Sequence, residues 1–225
     1  MKPIRLIGLS FIMVCAASAI AAASASARSF EFRAETYPVE VRGVSSSSPR
    51  FEFGPAALAA CRKATFDTNQ EGAPNPTQES TTLEVHPIYT ECRATLAAGS
   101  FPVAVRTAGC NYVPTAIRPG DKNGPLAIKC SAGKQIELES LGLSACVITI
   151  GSQTLNGIEY VNEAGPPKNV KVNAEVEKIK YKASPGCGLG IVEGENGAYR
   201  ASAVFNGFKP ATTEADGLEV HPSHP

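Results

Sequence analysis

The run Val170-Lys171-Val172-Asn173-Ala174-Glu175-Val176 decides the fold. Its apolar residues recur at every second position, and in an extended chain every second side chain points the same way. One face is therefore apolar and the other polar, the pattern of a strand that covers a core and meets water. After Val176 the apolar phase slips by one place, to Ile179 and Tyr181, and a β-bulge near Glu177-Lys178 accounts for the slip.

The same period runs outward along the chain. Phe101, Val103 and Val105 alternate with Pro102, Ala104 and Arg106, and Leu83 and Val85 with Glu84 and His86. Leu126, Ile128 and Cys130 alternate with Ala127 and Lys129, and Ile136 and Leu138 with Glu137 and Glu139. Turn chemistry separates the runs. Asn156-Gly157 and Asn196-Gly197 read as tight hairpin turns, and Asp121 to Pro125 as another reversal. Ser45 to Pro49 and Glu71 to Thr77 read as longer loops. Only Gly54 to Ala64, with Ala56, Ala57, Ala59 and Ala60, hints at a helical turn.

The opening residues bear on the compartment. Lys2 and Arg5 precede an uncharged apolar run that fades into Ala and Ser and ends at Ala25-Ser26-Ala27. That order predicts a signal peptide over residues 1–27, with the cut after Ala27; an uncleaved membrane anchor is the rival. Without that segment 19 basic residues face 21 acidic ones, because Lys2 and Arg5 leave the 21. Such a balance has no bulk attraction for nucleic acid or an anionic membrane. Six cysteines then remain, Cys61, Cys92, Cys110, Cys130, Cys146 and Cys187. An even count in an exported chain predicts three disulfides, and the absence of any C-x-x-C pair argues against zinc. Sequence alone does not choose among the possible pairings; the preferred expectation joins neighbours, Cys61–Cys92, Cys110–Cys130 and Cys146–Cys187.

The expected fold is all-β, an antiparallel β-sandwich in two small disulfide-stapled domains, residues 28–141 and 142–208, then a C-terminal tail, residues 209–225. One elongated sandwich is the alternative. The pentapeptide Leu-Glu-Val-His-Pro occurs twice, at Leu83–Pro87 and Leu218–Pro222, a trace that a duplicated module would leave.

From Cys146 onward, the runs CVITI, QTLNGIEYVN, VKVNAEVEKIKY and NGAYRASAVFNG resemble a group of exported, β-rich bacterial proteins. The earlier TTLEVHPIYTEC and FPVAVRTAGCNYV share that resemblance, which covers about Tyr37 to Phe208. It implies export, β-structure and disulfides. No activity attaches to the group, so no catalytic residue carries over.

Few residues offer chemistry. His86, His221 and His224 are the only histidines, and no G-x-S-x-G elbow accompanies them. They read as solvent-facing, with a three-histidine metal site as the sharper alternative. Asp67-x-Asn69-x-Glu71-Gly72 starts like a calcium loop, but Gln78 stands at the twelfth position and Pro74 and Pro76 intervene. Glu175 and Glu177 stand among Lys171, Lys178, Lys180 and Lys182, the look of a charged outer face and not of a catalytic carboxylate pair. Gly186, Gly188 and Gly190 around Cys187 lack the helix that a phosphate loop needs. The tyrosines fall mostly at inward phases and read as core, not as a sugar platform.

The expectation is a secreted or cell-surface, non-catalytic protein with a binding or structural role, without cofactor or metal. Its partner would be a cell-envelope component or an extracellular protein, with no nucleic acid and no stable membrane insertion after signal cleavage. The alternative is a small secreted hydrolase or protease inhibitor.

Overall fold

The computed structural model describes residues 29–54, 57–96, 99–142, 146–187, 189 and 193–223. The expected signal segment, His224, Gly188 and Gly190 lie outside the described residues. Fourteen strands follow one another among the described residues: β1 (Phe30–Arg33), β2 (Glu40–Ser45), β3 (Arg50–Phe53), β4 (Ala57–Asp67), β5 (His86–Leu96), β6 (Gly99–Arg106), β7 (Cys110–Pro114), β8 (Gly124–Cys130), β9 (Ile136–Ser140), β10 (Val147–Ile150), β11 (Gln153–Glu163), β12 (Asn169–Ala183), β13 (Glu193–Phe208) and β14 (Glu219–Pro222). The only helical element described is one 3-10 turn, Pro185–Cys187. The stretch that hints at helix is instead β4, held between neighbouring strands on both sides. Its alanines follow their partners, since tertiary pairing overrides a weak local propensity.

The expected sandwich is corrected: the main sheet closes on itself as a barrel. Strands β3, β4, β5, β6, β9, β10, β12 and β13 pair in that order, and β13 returns to β3. Every neighbour in this ring is antiparallel. Closure removes the free edges that two facing sheets would leave. The alternating pattern of a sandwich strand and a barrel strand is the same, which is why the pattern does not separate them.

Four strands are longer than the ring needs. β4, β5, β12 and β13 continue past it and are flanked there by a second set of strands, β2, β7, β8 and β11. β2 lies between the far halves of β13 and β4. β11 continues the sheet from β12, followed by β8 and β7. β7 then meets the segment leading into β5 through the bridges Thr82↔Thr115 and Val85↔Tyr112. The eight strands make a second circuit, end to end with the first. One hydrophobic cluster fills both, from Phe51 and Ile136 to Val41 and Val170. The boundary expected at 141/142 falls between β9 and β10, which are paired, and this cluster draws on both sides of it.

Within the stretch expected as a tail, β14 pairs with β1, and Leu218 and Val220 are buried. Phe32 of that ribbon packs edge-on against Tyr160, at the end of the second ring. The disulfides are Cys61–Cys92, Cys110–Cys130 and Cys146–Cys187, as neighbour pairing predicts. The first two join residues directly opposite on adjacent strands.

Candidate functional site

The two rings meet at a waist, and the sequence is most unusual there. Each shared strand changes its inward phase at that level. In β12 Val176 and Ile179 are buried with Glu177 and Lys178 exposed between them. The same two-residue gap separates Cys61 from Ala64 in β4, and Tyr89 from Cys92 in β5. Glu91 and Lys178 take positive φ, 52° and 60°. The predicted bulge at Glu177-Lys178 is therefore present, with a register shift between Val176 and Ile179.

The Asn-Gly pairs also serve this level and are not hairpin turns. Asn156-Gly157 lies inside β11, at a register shift against β8. Gly157 has φ +121°, and a Cβ there would overlap the Glu175 carbonyl oxygen. Asn196-Gly197 lies inside β13, at a register shift against β12. Asn-Gly marks a backbone needing unusual freedom, and a bulge needs it as a turn does.

At the waist the outer strands break as the chain passes from ring to ring: β2 to β3, β6 to β7, β8 to β9, and β10 to β11. The shared strands lose ladder partners there, and a buried peptide group without a partner is costly. Side chains take the vacant places. Ser47 Oγ accepts from Ser202 N at 2.7 Å, and Ser45 Oγ from Ala64 N at 2.9 Å. Gln153 bonds both backbone groups of Lys180, at 2.9 and 3.0 Å, as a neighbouring strand would. At the far end of the second ring Asn162 treats Val220 of β14 in the same way, at 2.9 and 2.8 Å.

His86 belongs to this set. The solvent-facing reading is corrected: it is 5% exposed. Its Nδ1 lies 3.1 Å from Cys110 O and 3.2 Å from Asn111 Oδ1. Asn111 Nδ2 in turn donates to Glu84 Oε1 at 2.9 Å, which fixes the amide orientation. Both neighbours of Nδ1 are acceptors, so Nδ1 carries a proton. Thr107 Oγ1 stands 3.5 Å from Nε2. The order threonine, histidine, asparagine, glutamate resembles a nucleophile, a base and its orienting groups. The threonine is engaged elsewhere, however: it donates to Pro87 O at 2.5 Å. Pro87 lies where the ladder beside β5 is broken, and a proline there forfeits no ladder donor. Composition could have flagged His86 only through its place in a strand. Its cover, including Glu71 O against Asn111, is a tertiary feature.

The other predicted residues do not converge. Asp67 ends β4, is bonded by Gln70 Nε2, and has its carboxyl pushed upward by burial, against the pull of Arg42. Asn69, Glu71 and Gly72 take positive φ in a tight reversal closed by Asn69 N to Ala73 O. Glu175 and Glu177 are exposed, and Glu177 meets Arg200. His221 lies on β14, with Nδ1 2.7 Å from Pro222 O. Among the described residues no three metal-ligating side chains cluster.

Five of the six tyrosines are core, as expected of most of them, and three share one place. Tyr89 Oη lies 2.9 Å from Tyr112 Oη and 3.2 Å from Tyr199 Oη, all buried among Phe51 and Phe66. Burial pushes the Tyr112 hydroxyl up to about 12, and raises Tyr89 and Tyr199 as well. Beside them, in the second ring, is a void of about 50 Å³ lined by Phe66, Val85, Leu126, Ile158, Ala203 and Phe205, among others. No family model matches the chain, and neither a curated protein nor a solved structure matches it.

Proposed function

We propose that this is an extracytoplasmic, disulfide-stapled β-barrel protein that acts without catalysis, as a binding or structural component presented to the cell envelope or to extracellular proteins. The observation that carries the reading is the hydrogen bond from Thr107 to Pro87 O. It turns the catalytic-looking constellation found among the described residues into a substitute for a missing strand. Three disulfides support an oxidising compartment. The outer face of β12 carries Lys178, Lys180 and Lys182, which lipid would not tolerate, so the barrel works in water.

Two measurements test it. The mass of the exported protein should correspond to a chain starting near Arg28; intact Met1 in a membrane fraction would remove the secreted reading. Purified, oxidised protein should co-sediment with isolated cell envelopes or capture an extracellular protein, and Thr107→Val should leave that capture unchanged. Hydrolysis of peptide, ester or glycoside substrates that disappears in His86→Gln would overturn the non-catalytic reading.

A further inference from the structure

The four direct connections of the first ring, β3 to β4, β5 to β6, β9 to β10 and β12 to β13, all lie at the end away from the waist. They form a rim, and the rim is uncharged. Residues 53–61, 94–105, 140–150 and 183–192 contain no Asp, Glu, Lys or Arg. The connections at the opposite end, residues 68–85, 115–123, 164–168 and 209–218, each carry charge. Surface segments that meet only water mix charges of both signs, so this asymmetry marks one end for contact with something else.

Leu141 on this rim is 63% exposed, the highest value for a large apolar side chain among the described residues. Leu58 and Phe101 are half-buried, and Pro102 and Pro185 are exposed. Leu141 N donates to Pro102 O at 2.9 Å, and Gly142 lies against the Phe101 ring, where a Cβ would overlap it. The Cys146–Cys187 disulfide ties the β9–β10 connection to the β12–β13 connection. Apolar groups held in place in this way lose little freedom on docking.

Behind the rim the outer face is basic. The cross-strand partners Arg200, Arg50, Ala60, Arg93 and Pro102 form one row over β13, β3, β4, β5 and β6. Arg200 meets Glu52 and Glu177. Arg50 and Arg93 are exposed and meet no carboxylate among the described residues, and Arg93 reaches toward the rim to bond Ser100. They flank the small Ala60 at two strand spacings, about 10 Å, so both guanidinium groups are open to one phosphate lying over it. Leu58 stands on the same face of β4, two residues nearer the rim. Unpaired cations behind an uncharged apolar edge match an anionic phospholipid surface, whose phosphates lie outside its acyl chains. A rim-to-rim pair of two copies would instead bring two arginine rows together.

We propose that the rim of the first ring docks on an anionic phospholipid surface: Leu141 and Leu58 enter the boundary between head groups and acyl chains, Arg50 and Arg93 hold phosphate, and the rest of the barrel stays in water. The proposal rests on the envelope reading above and names the component met there. It is measured with purified protein and lipid alone, so it can fail while co-sedimentation with envelopes holds. The oxidised protein is floated with vesicles of phosphatidylcholine alone and of phosphatidylcholine mixed equally with phosphatidylglycerol. It should bind the mixed vesicles at least about tenfold more tightly, and less so as salt rises. Leu141→Glu, and Arg50→Gln combined with Arg93→Gln, should each weaken that binding at least about tenfold. Lys122→Gln, at the opposite end, should leave it unchanged. The chain has no Trp, so Leu141→Trp supplies a lone reporter. Its emission should shift to the blue on mixed vesicles, and that of Lys122→Trp should not. Equal binding to both vesicle types, binding that survives Leu141→Glu, or an unshifted emission from Leu141→Trp would overturn the proposal. So would a concentration-dependent dimer that Leu141→Glu dissolves without any flotation, which would give the rim to a second copy of the chain.

Discussion

The two rings share four strands and are closed in different ways. In the first, eight antiparallel strands pair around the ring, and aromatic side chains fill the interior, with Phe51 stacked on Phe53 and Phe53 edge-on to Tyr181. Only about 20 Å³ is left beside Phe53 and Ile148. In the second, one wall is the short antiparallel pairing of residues 81–85 with β7 and Ala116, alanines face inward beside a void of about 50 Å³, and the end is covered by the ribbon of β1 and β14. The same long strands can therefore support a ring filled by aromatic side chains and one with a larger void. What differs is the set of short strands beside them and the size of the inward side chains.

Truncating the filled ring should cost most. Phe53→Ala should lower stability by about 4 kcal/mol, while Val85→Ala, equally buried but smaller and beside the void, should cost about 1.5 kcal/mol. Denaturant melts check both, and equal losses would erase the distinction.

The next effects are of similar size. Replacing Cys110 and Cys130 by Ser frees a loop of 20 residues and should cost about 3 kcal/mol on the chain-entropy account. Hydrogen exchange should then accelerate first at residues 81–85 and 110–114. Acceleration that begins in β3 and β10 instead would place the weak wall in the wrong ring. Alkali probes the waist between the rings. Tyr112 titrates near 10 when unfolded and is pushed up to about 12 by burial. A raised value favours the protonated hydroxyl in the folded state, so its stability is fully present below pH 10. It is lost progressively as pH rises from 10 to about 12, on the order of 3 kcal/mol for Tyr112, with Tyr89 and Tyr199 acting in the same sense. Absorbance of tyrosinate should rise together with unfolding; stepwise ionisation of all six tyrosines in a folded protein would contradict the buried cluster. The smallest effect tests the strand substitutes. Thr107→Val leaves Pro87 O without its partner and should cost about 1–2 kcal/mol.

The alternating residues of β12 are readable from sequence because each strand states its own period. The slip at Glu177-Lys178 is readable for the same reason, and the neighbouring cysteines pair because adjacent strands carry them. Equivalent slips at Arg62-Lys63 and Thr90-Glu91 were present in the pattern, as the spacing of Cys61 from Ala64 and Tyr89 from Cys92 shows. The rest depends on contacts distant in sequence. Gly157 looks like a turn until the Glu175 carbonyl behind it is known. His86 looks wet until Asn111 and the chain near Glu71 cover it. Closure depends on β13 meeting β3 and β12 together, which no local period encodes.

The ribbon at the end of the second ring joins Ser29 to Ser223, 194 positions apart. A chain made from its N-terminus holds Phe32 without its cross-strand neighbour Val220 until β14 follows the other thirteen strands described. Any product that stops short of β14 leaves Tyr160 and Phe32 incompletely covered, an open invitation to proteases. Protection of the second ring is thus tied to β14: a polypeptide lacking it leaves Phe30–Arg33 without a partner strand.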